Sequence, residues 1–151
     1  MKYDRIDSSL YVNNRKRFKS LLKKGGLAVF NSNDIFGTSA DSTLPFVQHR
    51  DILHLSGVDQ EESILLIFPD AYDAKHREVL FLKETSDLIA VWEGEKLNKT
   101  QAFETSGIST VYWLDQFDSI FNALLAESSC VYFNSNEHTR ANTESETRED
   151  R

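Results

Sequence analysis

An α/β fold is what this sequence predicts, and three observations carry it. First, NRKRFKSLLKK (14–24) places Phe18, Leu21 and Leu22 on one face at helical spacing. Gly25-Gly26 follows as a helix stop, and LAVFN (27–31) then reads as a buried strand. Second, ESILLIF (62–68) and HREVLFL (76–82) are apolar runs joined by a turn at Pro69-Asp70-Ala71-Tyr72-Asp73. That arrangement predicts adjacent antiparallel strands, and their continuous apolarity makes them central ones. Third, LDQFDSIFNALLAES (114–128) is amphipathic, with Phe117, Ile120, Phe121, Leu124 and Leu125 on one face, and CVYFN (130–134) follows as a last strand. Helices alternating with strands give the α/β class.

The remaining elements follow in order. Residues 32–45 are rich in Ser, Thr, Asn and Asp and read as a loop. LIAVWEG (88–94) reads as a short strand or a helical turn ending at Gly94. NKTQAFETS (98–106) begins a helix with Asn98 as its cap, and Gly107 closes it. STVYW (109–113) is a strand, and Asp115 is placed to cap the helix after it. No internal repeat stands out. From residue 135 to 151 there is no large apolar side chain, so ordering this stretch would cost about 1–2 kcal/mol per residue with nothing buried in return. The expected organisation is one domain over 1–134 and a polar tail or start of a linker over 135–151.

Composition narrows the function. The chain has 151 residues, 40% of them hydrophobic, which is enough for one packed core. A net charge of −7 argues against nucleic acid and anionic membrane as general partners. The basic run Arg15, Lys16, Arg17, Lys19, Lys23 and Lys24 falls on one helix and reads as its solvated face. Cys130 is the sole cysteine, so no internal disulfide is possible and a cytoplasmic setting is expected. The longest apolar run, Ile64 to Pro69, is too short to span a bilayer.

The stretch SADSTLPFVQHRDILHLSG (39–57) gathers Asp41, His49, Arg50, Asp51, His54 and Ser56, the residue types of an active site. Spacing weakens that reading. Two metal ligands on one helix face need a separation of three or four, and His49 and His54 are five apart. Ser56-Gly57 lacks the nucleophile elbow, and Cys130 opens an apolar strand, where a thiol is buried and inert. Gly25-Gly26 precedes a strand, whereas a phosphate loop follows one. No catalytic residue and no metal ligand set emerges. Trp92, beside a turn glycine and between charges, fits an interface or the edge of the core equally well, whereas Trp113 in its strand reads as core.

The order of motifs resembles the N-terminal domain of aminopeptidase P and its relatives prolidase and creatinase. Asn14-Arg15 matches the Asn-Arg pair that opens the first helix, and Ser39-Ala40-Asp41 matches a Ser-x-Asp loop. The run Phe46-Val47-Gln48-His49-Arg50-Asp51-Ile52-Leu53-His54-Leu55-Ser56-Gly57 matches aromatic-x-Gln-x-x-Asp-x-x-x-Leu-Ser/Thr-Gly. Trp92-Glu93-Gly94 matches Trp-x-Gly, with a basic residue following at Lys96. The resemblance spans residues 14–134. Arg50 and His54 depart from the residue types usual at their positions, without disturbing the spacing.

The resemblance implies a mixed sheet flanked by helices in three layers. It implies that the catalytic "pita-bread" domain, which carries the metal ligands for two divalent ions, often manganese, is absent from this chain. The expected function is therefore that of a non-catalytic domain of a Xaa-Pro metalloaminopeptidase, gating substrate access and making homo-oligomer contacts. Its partners would be its own catalytic domain and, through it, proline-containing peptides. Trp92 and Asp41 are the rim or interface candidates. Phe46, Gln48, Asp51, Leu55, Gly57 and Gly94 are the structural motif positions. Phe46 and Leu55 are expected as core anchors, each worth about 1.5–3 kcal/mol if fully buried, and Asp51 as a hydrogen-bond acceptor or cap. The alternatives are a stand-alone binding or assembly module, or the same domain of a prolidase or creatinase.

Overall fold

A computed structural model describes residues 6–40, 42–86 and 96–134. Asp41, Trp92 and Gly94, the strand or turn expected at 88–94 and the 135–151 tail lie outside the described residues. The chain runs α1 (Ser9–Leu21), β1 (Gly26–Asn31), α2 (Arg50–Ser56), β2 (Ser63–Ile67), a 3-10 turn (Ala74–His76) and β3 (Glu78–Leu82). It continues with α3 (Lys99–Ser106), β4 (Val111–Trp113), a second 3-10 turn (Leu114–Gln116), α4 (Phe117–Glu127) and β5 (Cys130–Phe133).

The strands form one sheet in the order β4-β3-β2-β1-β5. β2 pairs antiparallel with both β1 and β3, whereas β5 joins β1 and β4 joins β3 in parallel, so the sheet is mixed. Because side chains alternate along a strand, the sheet feeds two cores. Ala28, Phe30, Leu65, Ile67, Leu80 and Leu82 face Ile52 and Leu55 of α2 and Ala102 of α3, with Phe18 of α1 packed against them. Leu27, Val29, Leu66, Val79 and Phe81 face Leu124, with Phe117, Ile120 and Phe121 of α4 alongside. The result is three layers: α1, α2 and α3, then the sheet, then α4. Among the described residues no helix is long and apolar enough to cross a membrane.

Several local expectations change. The first helix begins at Ser9, not Asn14, because Leu10, Tyr11 and Val12 extend its turn pattern N-terminally. It ends at Leu21, since Leu22 turns extended to feed β1. Leu22 therefore packs on the core while Leu21 is 81% exposed. Asp115 does not cap α4; it sits in the preceding 3-10 turn, and Gln116 stands at the helix start without a side-chain bond. Leu125 points outward from the α4 face. Cys130 is only half-buried because β5 is an edge strand, whereas Trp113, half-buried on the other edge strand β4, packs against the first core as expected. Asn98 does cap α3, in a reciprocal capping box with Gln101.

The largest correction concerns Arg15, expected on a solvated face and found fully buried. Its Nη1 donates to the carbonyls of Leu55 and Ser106, each at 2.8 Å. Its Nε donates to Glu78 at 3.0 Å, and Lys19, one turn on, reaches the other Glu78 oxygen at 2.6 Å. The neighbouring Asn14 amide donates to the His54 carbonyl at 2.8 Å. The last carbonyls of a helix have no partner within it and carry the negative end of the helix dipole. Arg15 thus gathers the C-termini of α2 and α3 and the start of β3 around α1. Burial pulls its guanidinium below the ordinary arginine value, and the charge and hydrogen bond of Glu78 offset part of that.

Both helix ends are built alike. Gly57 (φ +70°) and Gly107 (φ +72°) are left-handed caps whose N–H groups return to Leu53 and Phe103. Ser56 and Ser106 each donate to the carbonyl four residues back and accept from the N–H two residues on, at Val58 and Ile108. A Cβ at Gly57 would stand 2.4 Å from the Tyr11 ring. Two outcomes follow. Arg15→Leu should lower the unfolding free energy by about 3–5 kcal/mol in urea titrations at neutral pH, since it leaves two buried helix-terminal carbonyls without a donor and Glu78 with Lys19 as its remaining cation. Gly57→Ala should cost about 2–4 kcal/mol in the same measurement, from left-handed strain plus overpacking against Tyr11.

Candidate functional rim

Strand directions place the C-terminal ends of β1, β3, β4 and β5 and the N-terminal end of β2 at one end of the sheet. The long loop after β1 leaves here. Its root is fixed by Ser32 N–H donating to the Ser63 carbonyl (2.9 Å) and Ser63 N–H donating to the Ser32 hydroxyl (3.2 Å). Within it a small hairpin pairs Gly37 with Thr43 and bonds Leu44 N–H to the Phe36 carbonyl. Ala40 takes φ +51° near the tip, a costly conformation for a residue with a Cβ. Asn33 closes the loop on the Val47 carbonyl at 2.9 Å.

The motif residues then anchor the loop's return. Gln48 is buried and donates to the Val58 and Gln60 carbonyls (3.0 and 2.8 Å), while its own oxygen accepts from the His49 N–H at 2.8 Å. Leu55 is buried in the core, whereas Phe46 is only half-buried and is not a full core anchor. Its position on the loop, before α2 begins, keeps it at the margin. Asp51 is exposed in the first turn of α2; the cap is His49, whose ring nitrogen accepts from the Asp51 N–H at 3.3 Å. Ser56 is committed to its backbone partners and carries no nucleophile geometry.

A second segment leaves and re-enters the same rim. Glu62 pairs with Lys83 at 3.0 Å and Glu61 with Lys96, while Gln60 accepts from the Leu97 N–H at 2.8 Å. Three consecutive residues before β2 thus hold both stems of residues 84–95, the stretch that contains Trp92. Glu62 takes φ +50°, so backbone strain is stored at this clamp. The chain exits β5 beside them: Asn134 accepts from the Asn31 N–H and donates to the Asn31 carbonyl, both at 3.0 Å. Sequence reasoning singled out Lys96 through its motif but missed Gln60, Lys83 and Asn134, whose partners are distant in sequence.

Among the described residues no three His, Cys, Asp or Glu side chains converge as metal ligands. His49 and His54 sit at opposite ends of α2, so the described residues do not fit a two-metal centre. What the rim offers is an ionic clamp. Burial alone would raise the Glu61 carboxyl; the hydrogen bond and charge of Lys96, a backbone N–H and the charge of Lys83 outweigh it and hold the group below its ordinary range. A depressed folded value means the pair stabilises above about pH 4.3, the unfolded glutamate value, and that this is lost as pH falls through the folded value. Glu61→Gln should therefore destabilise by about 1–2 kcal/mol at pH 7 and by less at pH 3, in paired thermal melts.

The family profile described as aminopeptidase P, N-terminal domain, matches residues 11–133. The chain is 24% identical to human Xaa-Pro aminopeptidase 3 over 133 residues, covering 82% of this chain and 26% of the relative. It is also 24% identical over 130 residues to intermediate cleaving peptidase 55 of Schizosaccharomyces pombe, covering 86% and 27%. Among solved structures, a putative aminopeptidase P from Bacillus anthracis superposes with a TM-score of 0.81 at 20% identity, over 96% of this chain and 34% of that one. The His354Ala form of Escherichia coli aminopeptidase P gives 0.78 at 22% identity, over 91% and 31%. The chain spans about a quarter of the length of these curated relatives. With its profile match and its three-layer mixed sheet, the chain belongs to the aminopeptidase P N-terminal domain family.

Proposed function

We propose that this domain serves a Xaa-Pro aminopeptidase, an enzyme removing the residue that precedes proline, by shaping access to a catalytic centre held elsewhere in a longer polypeptide. The observation that carries the reading is the convergence of both candidate-bearing loops and the chain exit on one rim. A polypeptide continuing from Asn134 leaves beside the loop that contains Asp41 and the stems of the segment that contains Trp92. Those two residues are the ones to meet substrate or a neighbouring subunit.

Prolyl bonds suit a gated site, because proline removes the N–H and fixes φ, so general peptidases handle them poorly. The ligands for two divalent ions, manganese by preference, belong in this reading to the catalytic domain, and the working form is a cytoplasmic homo-oligomer. The clamp's task is to hold the mouth of the 84–95 segment at fixed width. The relatives' names, Xaa-Pro aminopeptidase and cleaving peptidase, support this reaction class.

The experiment is an assay of the 151-residue chain and of a full-length protein carrying it, on Xaa-Pro peptides with manganese. The chain alone should show no turnover; robust turnover would overturn the reading. In the full-length protein Trp92→Ala should raise KM about tenfold with a smaller effect on kcat.

A further inference from the structure

Between α1 and α2, in the outer helical layer, lies a concavity that the rim chemistry does not use. Its volume is about 350 Å³, near the lower end of the range for small-ligand sites. Phe30 of β1 and Leu55 of α2, both buried, form its floor. Phe18 of α1 stands edge-on to Phe30, with ring centroids 5.3 Å apart, and Leu21, 81% exposed, stands at the mouth. One end is closed where the Asn14 amide donates to the His54 carbonyl at 2.8 Å. The two edges carry opposite charge: Arg17 on the α1 side and Asp51 on the α2 side. The two do not pair with each other, and no ion pair joins Arg17 to another described residue. The Asp51 carboxylate has the His49 ring beside it at 3.7 Å.

An apolar floor between one cation and one anion is complementary to a ligand that carries both charges on an apolar body. We propose that this groove binds a dipeptide with both termini free and at least one large apolar side chain. The carboxylate lies on Arg17, whose planar guanidinium takes it in a bidentate grip, and the ammonium lies on Asp51. The apolar side chain rests on Phe30 and Leu55. Length selects a dipeptide over a single amino acid. Packed helices stand about 8–10 Å apart, axis to axis, and two extended residues reach roughly 7 Å, whereas an amino acid holds both charges on one carbon. A strongly acidic peptide would bring carboxylates against Asp51. A second copy fits less well. Pairing each Arg17 with the other copy's Asp51 sets the two-fold axis along the groove, so recess faces recess and leaves a void.

The test is an NMR titration of the isotope-labelled 151-residue chain with the dipeptide leucyl-phenylalanine. Saturable shifts are expected at the amides of Phe18, Leu21, Phe30 and Asp51. Glycyl-serine, which lacks the apolar side chains, should bind about tenfold more weakly. Amidating the C-terminus or acetylating the N-terminus should each weaken binding about fivefold, the scale of one exposed ion pair. Two variants separate the ends. In Arg17→Gln amidation should cost nothing further while acetylation still does, and in Asp51→Asn the pattern reverses. Both side chains are exposed, so neither change should disturb the spectrum of the free chain beyond its neighbours. The proposal fails if leucyl-phenylalanine does not saturate, if glycyl-serine or the doubly capped peptide binds as tightly, or if Arg17→Gln still distinguishes acid from amide. It fails equally if a glutamate-rich peptide binds more tightly, or if size exclusion shows a dimer that Leu21→Asp dissolves. Each readout is binding or assembly and is independent of peptidase turnover.

Discussion

One buried guanidinium organises the outer helical layer. Arg15 reaches the C-terminal carbonyls of two helices and the carboxylate that opens β3, elements 40 to 91 residues away along the chain. A charge without solvent is costly, so it persists only where hydrogen bonds and an opposite charge replace the lost water. The two glycine caps make this possible. By turning the chain left-handed after Ser56 and Ser106, they leave the carbonyls of Leu55 and Ser106 aimed at a common point. The planar fork of an arginine can take two carbonyls and a carboxylate at once, which a lysine ammonium on the same stem cannot match in geometry.

The rim depends on this arrangement indirectly. Once α2 is fixed by its C-terminus, its N-terminal cap at His49 and the buried Gln48 fix the return of the β1–α2 loop. Gln48 reaches the carbonyls of Val58 and Gln60, and Gln60 in turn holds the backbone at Leu97. A short relay of side-chain amides therefore runs from the loop root to the stem of the second segment. The Glu61 and Glu62 ion pairs flank that relay. The motif glutamine and leucine serve as framework, and the polar residues that first suggest catalysis are mostly caps and surface groups.

The alternation of helix and strand, the central apolar runs, the Asn98 cap and the amphipathic face of α4 are all local patterns, set by spacing within a few turns. They were legible in the sequence, and the motif order carried the family. The exposure of Leu21, the edge position of Cys130 and the loss of Asp115 as a cap depend on which strand lies outermost and where a helix must bend to join it. Those are decided by neighbours distant in the chain. Arg15 shows the limit most sharply: in a basic run it is indistinguishable from Lys16 and Arg17, because charge and periodicity say nothing of carbonyls 40 and 91 residues away.

The fold class and the family motifs were already set in the order of the amino acids. These rest on local propensity and on fixed intervals along the chain. The folded chain settled that Arg15 is an internal hub, that Gln60, Glu61 and Glu62 clamp the stems of a distant segment, and that Phe18, Leu21, Phe30 and Leu55 line a groove edged by Arg17 and Asp51. Such features arise from strand pairing and helix packing, which bring together groups whose separation in sequence carries no signal of their contact.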